Sequence, residues 1–198
     1  MTNPHNDLVV LGSINDSLLS NLTRELQLER YSRHVPLRLF ISSPGGSTAM
    51  ALTMSRLLLS LFEHIETYNL AIVDSAAVCL FLIGSKRSAF AGSRFFLHPA
   101  TLAFNESLTE TQILENLRLI RSDRETMLHF YRERTRLDEA AIKQWFDVPT
   151  SLSGSEALAQ GLATDLCDNI PDFAPRYLNS REEDRAPVGA AGPLEAPL

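Results

Sequence analysis

Residues 41–47 have the sequence Ile-Ser-Ser-Pro-Gly-Gly-Ser, and they join two segments of different character. The five residues 37–41 are apolar except for Arg38, which is typical of a mostly buried strand. Apolar residues at helical spacing follow the stretch: Met50, Met54, Leu57 and Leu61. We therefore predict a strand-to-helix turn. Its two glycines permit positive φ and a close approach of the backbone to another group.

The same alternation of strand and helix extends on both sides of this turn. Short apolar runs predict strands at residues 8–11, 37–41, 70–73 and 94–98. Helices are predicted between them, one behind an N-cap at Asn15, Asp16 or Ser17 with Leu18, Leu22 and Leu26 on one face, and one in the apolar run 76–83. Strands that alternate with helices predict an α/β core.

The second half of the chain is predicted to be mostly helical. A long charged helix is expected over residues 110–136, with an apolar stripe made by Ile113, Leu117, Ile120, Met127 and Tyr131. Shorter helices are predicted at 138–146 and 155–160, the latter ending at Gly161. We expect residues 1–178 to form one domain and residues 179–198, rich in charge, Pro, Ala and Gly, to be a disordered tail.

Composition narrows the classes of function. The 198 residues suffice for one buried core, and the formal net charge of −6 without a basic block gives no support for nucleic-acid binding. The longest apolar run is too short to span a membrane, and the N-terminus lacks the features of a signal peptide. Cys79 and Cys167 suggest neither a disulfide framework nor a metal site, so we expect a cytoplasmic protein without metal or cofactor.

Three features could carry chemistry. The N–H groups of the glycine turn, beside a helix N-terminus, could hold an oxyanion or a phosphate. Ser75 lies at a second strand-to-helix junction, where a serine can expose its hydroxyl as a nucleophile. His98 ends the strand 94–98 on the same face as Phe96. Each feature also has a structural interpretation: a plain turn, a helix N-cap and a structural histidine. Their occurrence together and in this order favours a catalytic site.

Four collinear motifs resemble the Clp protease proteolytic subunit family. They lie at residues 9–14, 41–47, 93–98 and 152–162, and the resemblance covers roughly residues 8–170. It implies the spiral of β-β-α units that Clp proteases share with crotonases, with a protruding handle helix. It also implies assembly into stacked rings, expected to be heptameric homo-oligomers, around a proteolytic chamber.

The resemblance assigns roles to particular residues. Ser75 falls on the nucleophile position and His98 on the general base, and Gly84 lies at the family's distance downstream of Ser75. The amides of Gly46 and Ala76 would form the oxyanion hole. Asp147 is the candidate for the third triad member. It precedes the motif 152–154, whereas the other two acids considered, Asp165 and Asp168, follow it.

These roles imply a serine endopeptidase that cleaves unfolded proteins or peptides through an acyl-enzyme, in proteolysis and protein quality control. An AAA+ unfoldase is the partner that the family suggests. Two alternatives stay open. A different gap would place Ala77 at the nucleophile position and make the chain an inactive ring subunit. The glycine turn and the fold would also suit a crotonase-type acyl-CoA enzyme.

The sequence departs from the family pattern at five places. Ala71 replaces a glycine, and Asp74 stands where a small apolar residue is usual. Residues 99–109 contain no glycine, where the family has a glycine-rich strand that binds substrate. The N-terminal segment that forms the family's axial gate is missing or very short. The loop 86–92 is shorter than usual, which accounts for the spacing of 23 residues between Ser75 and His98.

Overall fold

The computed structural model describes residues 6–27, 31–101, 104 and 107–171, and the backbone of residues 176–179. The described strands are β1 (Asn6–Leu11), β2 (Leu37–Ser43), β3 (Ile65–Asp74), β4 (Lys86–Ala89), β5 (Arg94–Leu97), β6 (Thr150–Ser153), β7 (Asp165–Leu166) and β8 (Arg176–Asn179). The described helices are α1 (Asp16–Leu26), α2 (Thr48–Leu61), α3 (Ala77–Leu82), α4 (Glu110–Arg134), α5 (Glu139–Asp147) and α6 (Gly154–Ala159).

Local capping determines where several helices begin. The predicted cap Asn15 accepts a hydrogen bond from the backbone N–H of Leu18 at 2.9 Å, which starts α1. Ser47, at the end of the glycine turn, caps α2 in the same way. Thr109 starts α4 with a reciprocal capping box. Polar side chains that satisfy the first amides thus fix the helix starts that the sequence predicted.

The sheet is mostly parallel and forks at β3. Its strand order is β6-β5-β3-β2-β1-β8, and all pairings on this path are parallel except β5 with β6. The first part of β3 pairs with β4, from Glu66 to Asn69, and its end pairs with β5, from Ile72 to Asp74. The fork carries the end of β3 and all of β5 away from β4. This brings the residues after both strands to one edge of the sheet.

The main core lies between the sheet and its helices. Leu8 and Val10 of β1 face α1 and α2, whereas Val9 points to the opposite face and packs with Phe40 and Tyr68. The rings of Phe40 and Tyr68 stack with 4.7 Å between their centroids. Both faces of the central strands are therefore covered, as the apolar composition of residues 37–41 predicted.

Arg38, the one charged residue of that run, is buried in an ion pair. Its Nε and Nη2 each donate to an Asp7 carboxylate oxygen at 2.7 Å, and both side chains are almost fully buried. The guanidinium also lies 5.8 Å from the centroid of the Phe40 ring. The bidentate pair, made by adjacent positions on β1 and β2, allows a cation inside the sheet.

The long helix α4 packs against the domain only at its C-terminal end. Its buried residues are Met127, Leu128, Phe130 and Tyr131. Apolar side chains nearer its start stay exposed: Ile113, Leu114, Leu117 and Leu119. The predicted stripe therefore divides into a packed part and an uncovered part, and the first half of α4 projects from the domain.

Some predicted elements differ from the structure. Strands β4 and β6 were not predicted, because neither is long or apolar enough to stand out, and β3 begins five residues earlier than predicted. Residues 180–198 of the predicted tail lie outside the described residues, as do residues 102–103 and 105–106 of the glycine-free segment. Within the described part of the chain, no helix has the length and apolarity required to cross a membrane.

Candidate active site

Ser75 adopts a backbone conformation that a side chain rarely tolerates. Its φ of 53° makes it the only non-glycine residue with positive φ among those the structure describes. Its N–H donates to the carbonyl of Phe96 at 2.6 Å, which ties the turn after β3 to β5. Helix α3 begins without a side-chain cap, so the N-cap interpretation of Ser75 does not hold. The turn instead presents the serine hydroxyl at the edge of the sheet, as a nucleophile requires.

Ala77 occupies a different environment. It is the first residue of α3 and is fully buried in the main core. Ser75, in contrast, lines an open cleft together with Ala76. The geometry therefore favours Ser75 over Ala77 at the nucleophile position.

The glycine turn lies directly against this serine turn. Gly45 has φ of 90°, and a Cβ built on it would lie 2.7 Å from both the Asp74 carbonyl oxygen and the Ser75 Cβ. No side chain fits at such distances. The turn is therefore more than a connection between β2 and α2, because it supports the backbone of Ser75 from the other side.

Gly46 forms a β-bridge with Ile14, two residues before α1. The N–H of Ile14 donates to the Gly45 carbonyl at 2.8 Å, and the N–H of Ser47 donates to the Ile14 carbonyl at 2.9 Å. This pairing directs the Gly46 N–H away from Ile14. Neither the Gly46 nor the Ala76 amide donates a hydrogen bond to any described residue. Both are therefore available to an external acceptor, as an oxyanion hole requires.

His98 follows β5 and lies on the wall of the same cleft as Ser75. Its ring stacks on Phe96 with 5.3 Å between centroids, which confirms the predicted face of the strand. Its Nδ1 lies 2.7 Å from the Pro99 carbonyl oxygen. Because a carbonyl only accepts, Nδ1 carries a proton, and in the neutral imidazole the lone pair lies on Nε2. Within the described residues, Ser75 and His98 share the cleft without a hydrogen bond to each other.

Asp147, the last residue of α5, is bound elsewhere. Its carboxylate accepts a hydrogen bond from Nη2 of Arg124 at 2.6 Å, and 59 % of its side chain is exposed. Among the described residues, no carboxylate lies within hydrogen-bond distance of His98. Asp165 lies on β7, which pairs with β4 away from the cleft. The role of Asp147 as the third triad member therefore stays a prediction.

The unusual Asp74 is neutralised beside the site. Its buried carboxylate forms a bidentate salt bridge with Arg94 of β5. The hydrogen bond that Arg94 donates to Asp74 raises the pKa of the Arg94 guanidinium above its ordinary value. The pair adds a cross-strand contact between β3 and β5.

Apolar side chains from α4 and α5 form the opposite wall of the cleft. Met127, Tyr131, Trp145 and Phe146 face Ser75 and His98 across it. Arg124 also lines the cleft, a position that sequence reasoning missed. Arg124 precedes Met127 of the predicted apolar stripe by three residues, and this helical spacing could have indicated that the two side chains share a face. The wall is therefore mostly apolar where it faces Ser75 and His98.

The fold of the domain is the ClpP fold. The structure is similar to the solved structure described as ClpP1 N165D mutant from Listeria monocytogenes, with a TM-score of 0.73 and 22% identity. The match covers 83% of this chain and 92% of that one. The predicted α/β ClpP-like architecture is confirmed.

The sequence comparisons agree with the fold. The family described as Clp protease matches residues 4–169. ATP-dependent Clp protease proteolytic subunit 4 of Rhodococcus jostii is 30% identical over 165 residues, covering 80% of this chain and 83% of that protein. Subunit 2 of Treponema denticola is 25% identical over 173 residues, or 84% of each chain. The chain belongs to the Clp protease family, and this favours a peptidase over the acyl-CoA alternative.

Proposed function

We propose that the chain is a serine endopeptidase in which Ser75 is the nucleophile and His98 the general base. The observation that carries this proposal is the strained backbone of Ser75, with φ of 53°, supported on one side by Gly45 and on the other by Phe96. Strain of this kind is retained where the surrounding structure enforces it, as it is around a nucleophile. The substrates would be unfolded proteins or peptides.

The proposed reaction uses these groups in turn. His98 Nε2 accepts the proton of the Ser75 hydroxyl as the serine oxygen attacks a peptide carbonyl. The Gly46 and Ala76 amides donate to the oxyanion of the tetrahedral intermediate, and each such donor contributes roughly 3–4 kcal/mol to transition-state stabilisation. His98 then protonates the leaving amine, an acyl-enzyme forms on Ser75, and water hydrolyses it.

Asp147 would complete the triad after a rearrangement. Its carboxylate accepts a hydrogen bond from Arg124, which is itself a wall residue of the cleft. If the Asp147 carboxylate left Arg124 and accepted the Nδ1–H of His98 instead, it would orient the imidazole and stabilise the imidazolium. In the present structure the Pro99 carbonyl accepts this hydrogen bond instead, and it favours the same tautomer, with the proton on Nδ1.

The proposed assembly is a ring of identical subunits, expected to be heptameric, stacked on a second ring through α4. The support is the uncovered apolar side chains on the first half of α4, among them Leu117 and Leu119. The relatives from Treponema and Rhodococcus are named as ATP-dependent proteolytic subunits. We accordingly propose an AAA+ unfoldase as the partner that delivers substrates in the cytoplasm.

Covalent labelling tests the proposal. The assembled protein is treated with a fluorophosphonate, and the intact mass and peptide map are recorded. One adduct per chain on Ser75 is expected, and both Ser75→Ala and His98→Ala should lose it. Ser60→Ala is the matched control, because Ser60 is an exposed α2 serine whose hydroxyl binds its own helix. Adducts on another residue contradict the proposal.

A second candidate is an inactive ring subunit. The separation of Ser75 from His98 and the capture of Asp147 by Arg124 favour it. Light scattering distinguishes the two, since the inactive subunit would assemble to a ring mass and yet take up no label. An assembled ring that labels at Ser75 excludes this alternative.

A further inference from the structure

A second concave surface, which we call the arginine pocket, shares no wall residue with the Ser75 cleft. Arg87 of β4, Arg134 at the end of α4 and Arg136 after it line a cavity of about 460 Å³, with Ser85 and Thr164 beside them. No described carboxylate belongs to its wall. Three cations therefore face one cavity with no acid among them.

Arg87 is buried without a carboxylate partner in the described chain. Its Nε donates to the Leu162 carbonyl at 2.7 Å, and its two terminal nitrogens donate to the carbonyls of Gly84 and Gly161 at 3.2 and 3.3 Å. Burial lowers the pKa of the guanidinium below its ordinary value. The carbonyls hold the side chain rigidly and leave two of its five N–H groups unused, but they supply no countercharge.

Arg134 has an unsatisfied polar atom at the same place. Its Nε is buried and has no hydrogen-bond partner among the described residues, and its guanidinium lies 5.7 Å from the centroid of the Phe130 ring. A buried donor without an acceptor is unfavourable, and a bound oxyanion would supply one. Arg132, two residues earlier in α4, shows the contrast, since it pairs with Glu139 at 3.2 Å.

The acid in the adjoining groove already pairs with other cations. Glu63 lines a groove that adjoins the pocket and shares Arg87 and Arg134 with it. Its carboxylate pairs with Arg33 at 3.4 Å and with His34 at 3.3 Å, and these contacts lower its pKa. Glu63 is therefore directed to the other cations and not to the arginine pocket.

We propose that the arginine pocket binds a phosphate group. The planar guanidinium presents paired N–H donors that match the oxygens of a tetrahedral oxyanion. Arg134 and Arg136 would make the direct contacts, and the rigid Arg87 would supply charge and its unused N–H groups. The two hydroxyls contribute little, because Ser85 Oγ donates to Ile65 and Thr164 Oγ1 accepts from the Arg87 N–H. The proposal does not depend on the peptidase site.

Titration of the full-length chain with inorganic phosphate tests this, with sodium chloride keeping the ionic strength constant. Calorimetry should show one saturable site per chain. At ten times the Kd, the thermal midpoint should rise by about 3–6 °C. Arg134→Gln should weaken binding at least tenfold and Arg136→Gln several-fold. Arg132→Gln, on the same helical end but paired with Glu139, should bind as the wild type does.

Three results would overturn the proposal. Phosphate could stabilise the chain no more than chloride does, or Arg132→Gln could weaken binding as much as Arg134→Gln. Alternatively, phosphate could be without effect while Arg134→Gln reduces the mass of the assembled protein, which would mean that the arginines pair with carboxylates of a neighbouring copy. If Arg134→Gln does not fold, Arg136→Gln decides, because the exposed Arg136 tolerates replacement.

Discussion

Replacement of Gly45 by alanine should damage stability and the proposed catalysis together. A Cβ at this position would lie 2.7 Å from the Asp74 carbonyl oxygen and from the Ser75 Cβ, whereas ordinary contact begins near 3.4 Å. The two turns must therefore separate by about 0.7 Å. The φ of 90° adds strain of about 1–2 kcal/mol for a residue with a side chain. With overpacking of about 1–3 kcal/mol, we expect the free energy of unfolding to fall by roughly 2–5 kcal/mol.

The same displacement should slow the reaction of Ser75. A shift approaching 1 Å in a reacting group can cost on the order of 10²-fold in rate. We expect the fluorophosphonate labelling rate of Gly45→Ala to fall by about that factor in urea-free buffer, where the variant is still folded.

Gly92→Ala is the matched control for both measurements. A Cβ on Gly92 meets no atom within 4 Å, and its φ is not positive. Its urea midpoint and labelling rate should equal those of the wild type. If Gly45→Ala matches Gly92→Ala in both measurements, the glycine turn does not support Ser75 and the reasoning is wrong.

Three further predictions follow from other parts of the structure. Arg38→Met should lower the free energy of unfolding by about 3–5 kcal/mol in urea titrations, because it leaves the buried Asp7 carboxylate without its cation; a loss below 1 kcal/mol would contradict this. Burial raises the pKa of the Cys79 thiol to about 12, so the thiol stays protonated as the pH rises to 9. Cys79 should therefore resist iodoacetamide in the native protein and react in urea. Labelling of Cys79 in the native protein at pH 8 would refute this prediction. Leu119→Glu should reduce the assembled mass measured by light scattering, because its exposed side chain lies on the proposed ring contact, and an unchanged mass would remove α4 from that contact.

The sequence predicted those features that local chemistry determines. Asn15 is a residue type that favours the N-cap position, and its side chain accepts the hydrogen bond from the Leu18 amide, three residues later. His98 shares a strand face with Phe96, since alternation fixes the direction of side chains. The junction at Ser75 follows from an apolar strand that meets an apolar helix. Each of these needs only neighbouring residues.

Features that depend on distant residues were missed or left open. Strand β4 carries Lys86 and Arg87, and it is a strand because the first part of β3 offers it a pairing edge. The Arg124–Asp147 contact joins residues 23 positions apart, and it depends on how α4 packs on α5. No local pattern indicates either. The third triad residue is hard to assign from sequence for the same reason.

The pairing of β1 with β8 has a consequence for synthesis on the ribosome. Residues Leu8–Leu11 pair with Arg176–Asn179, so one edge of the sheet is closed by strands from opposite ends of the domain. A nascent chain that has released the first 150 residues already holds β1 on β2, but its other edge presents unpaired amides and carbonyls. Such an edge is a template for pairing with another chain. Slow translation of the last segment should therefore favour association between nascent chains.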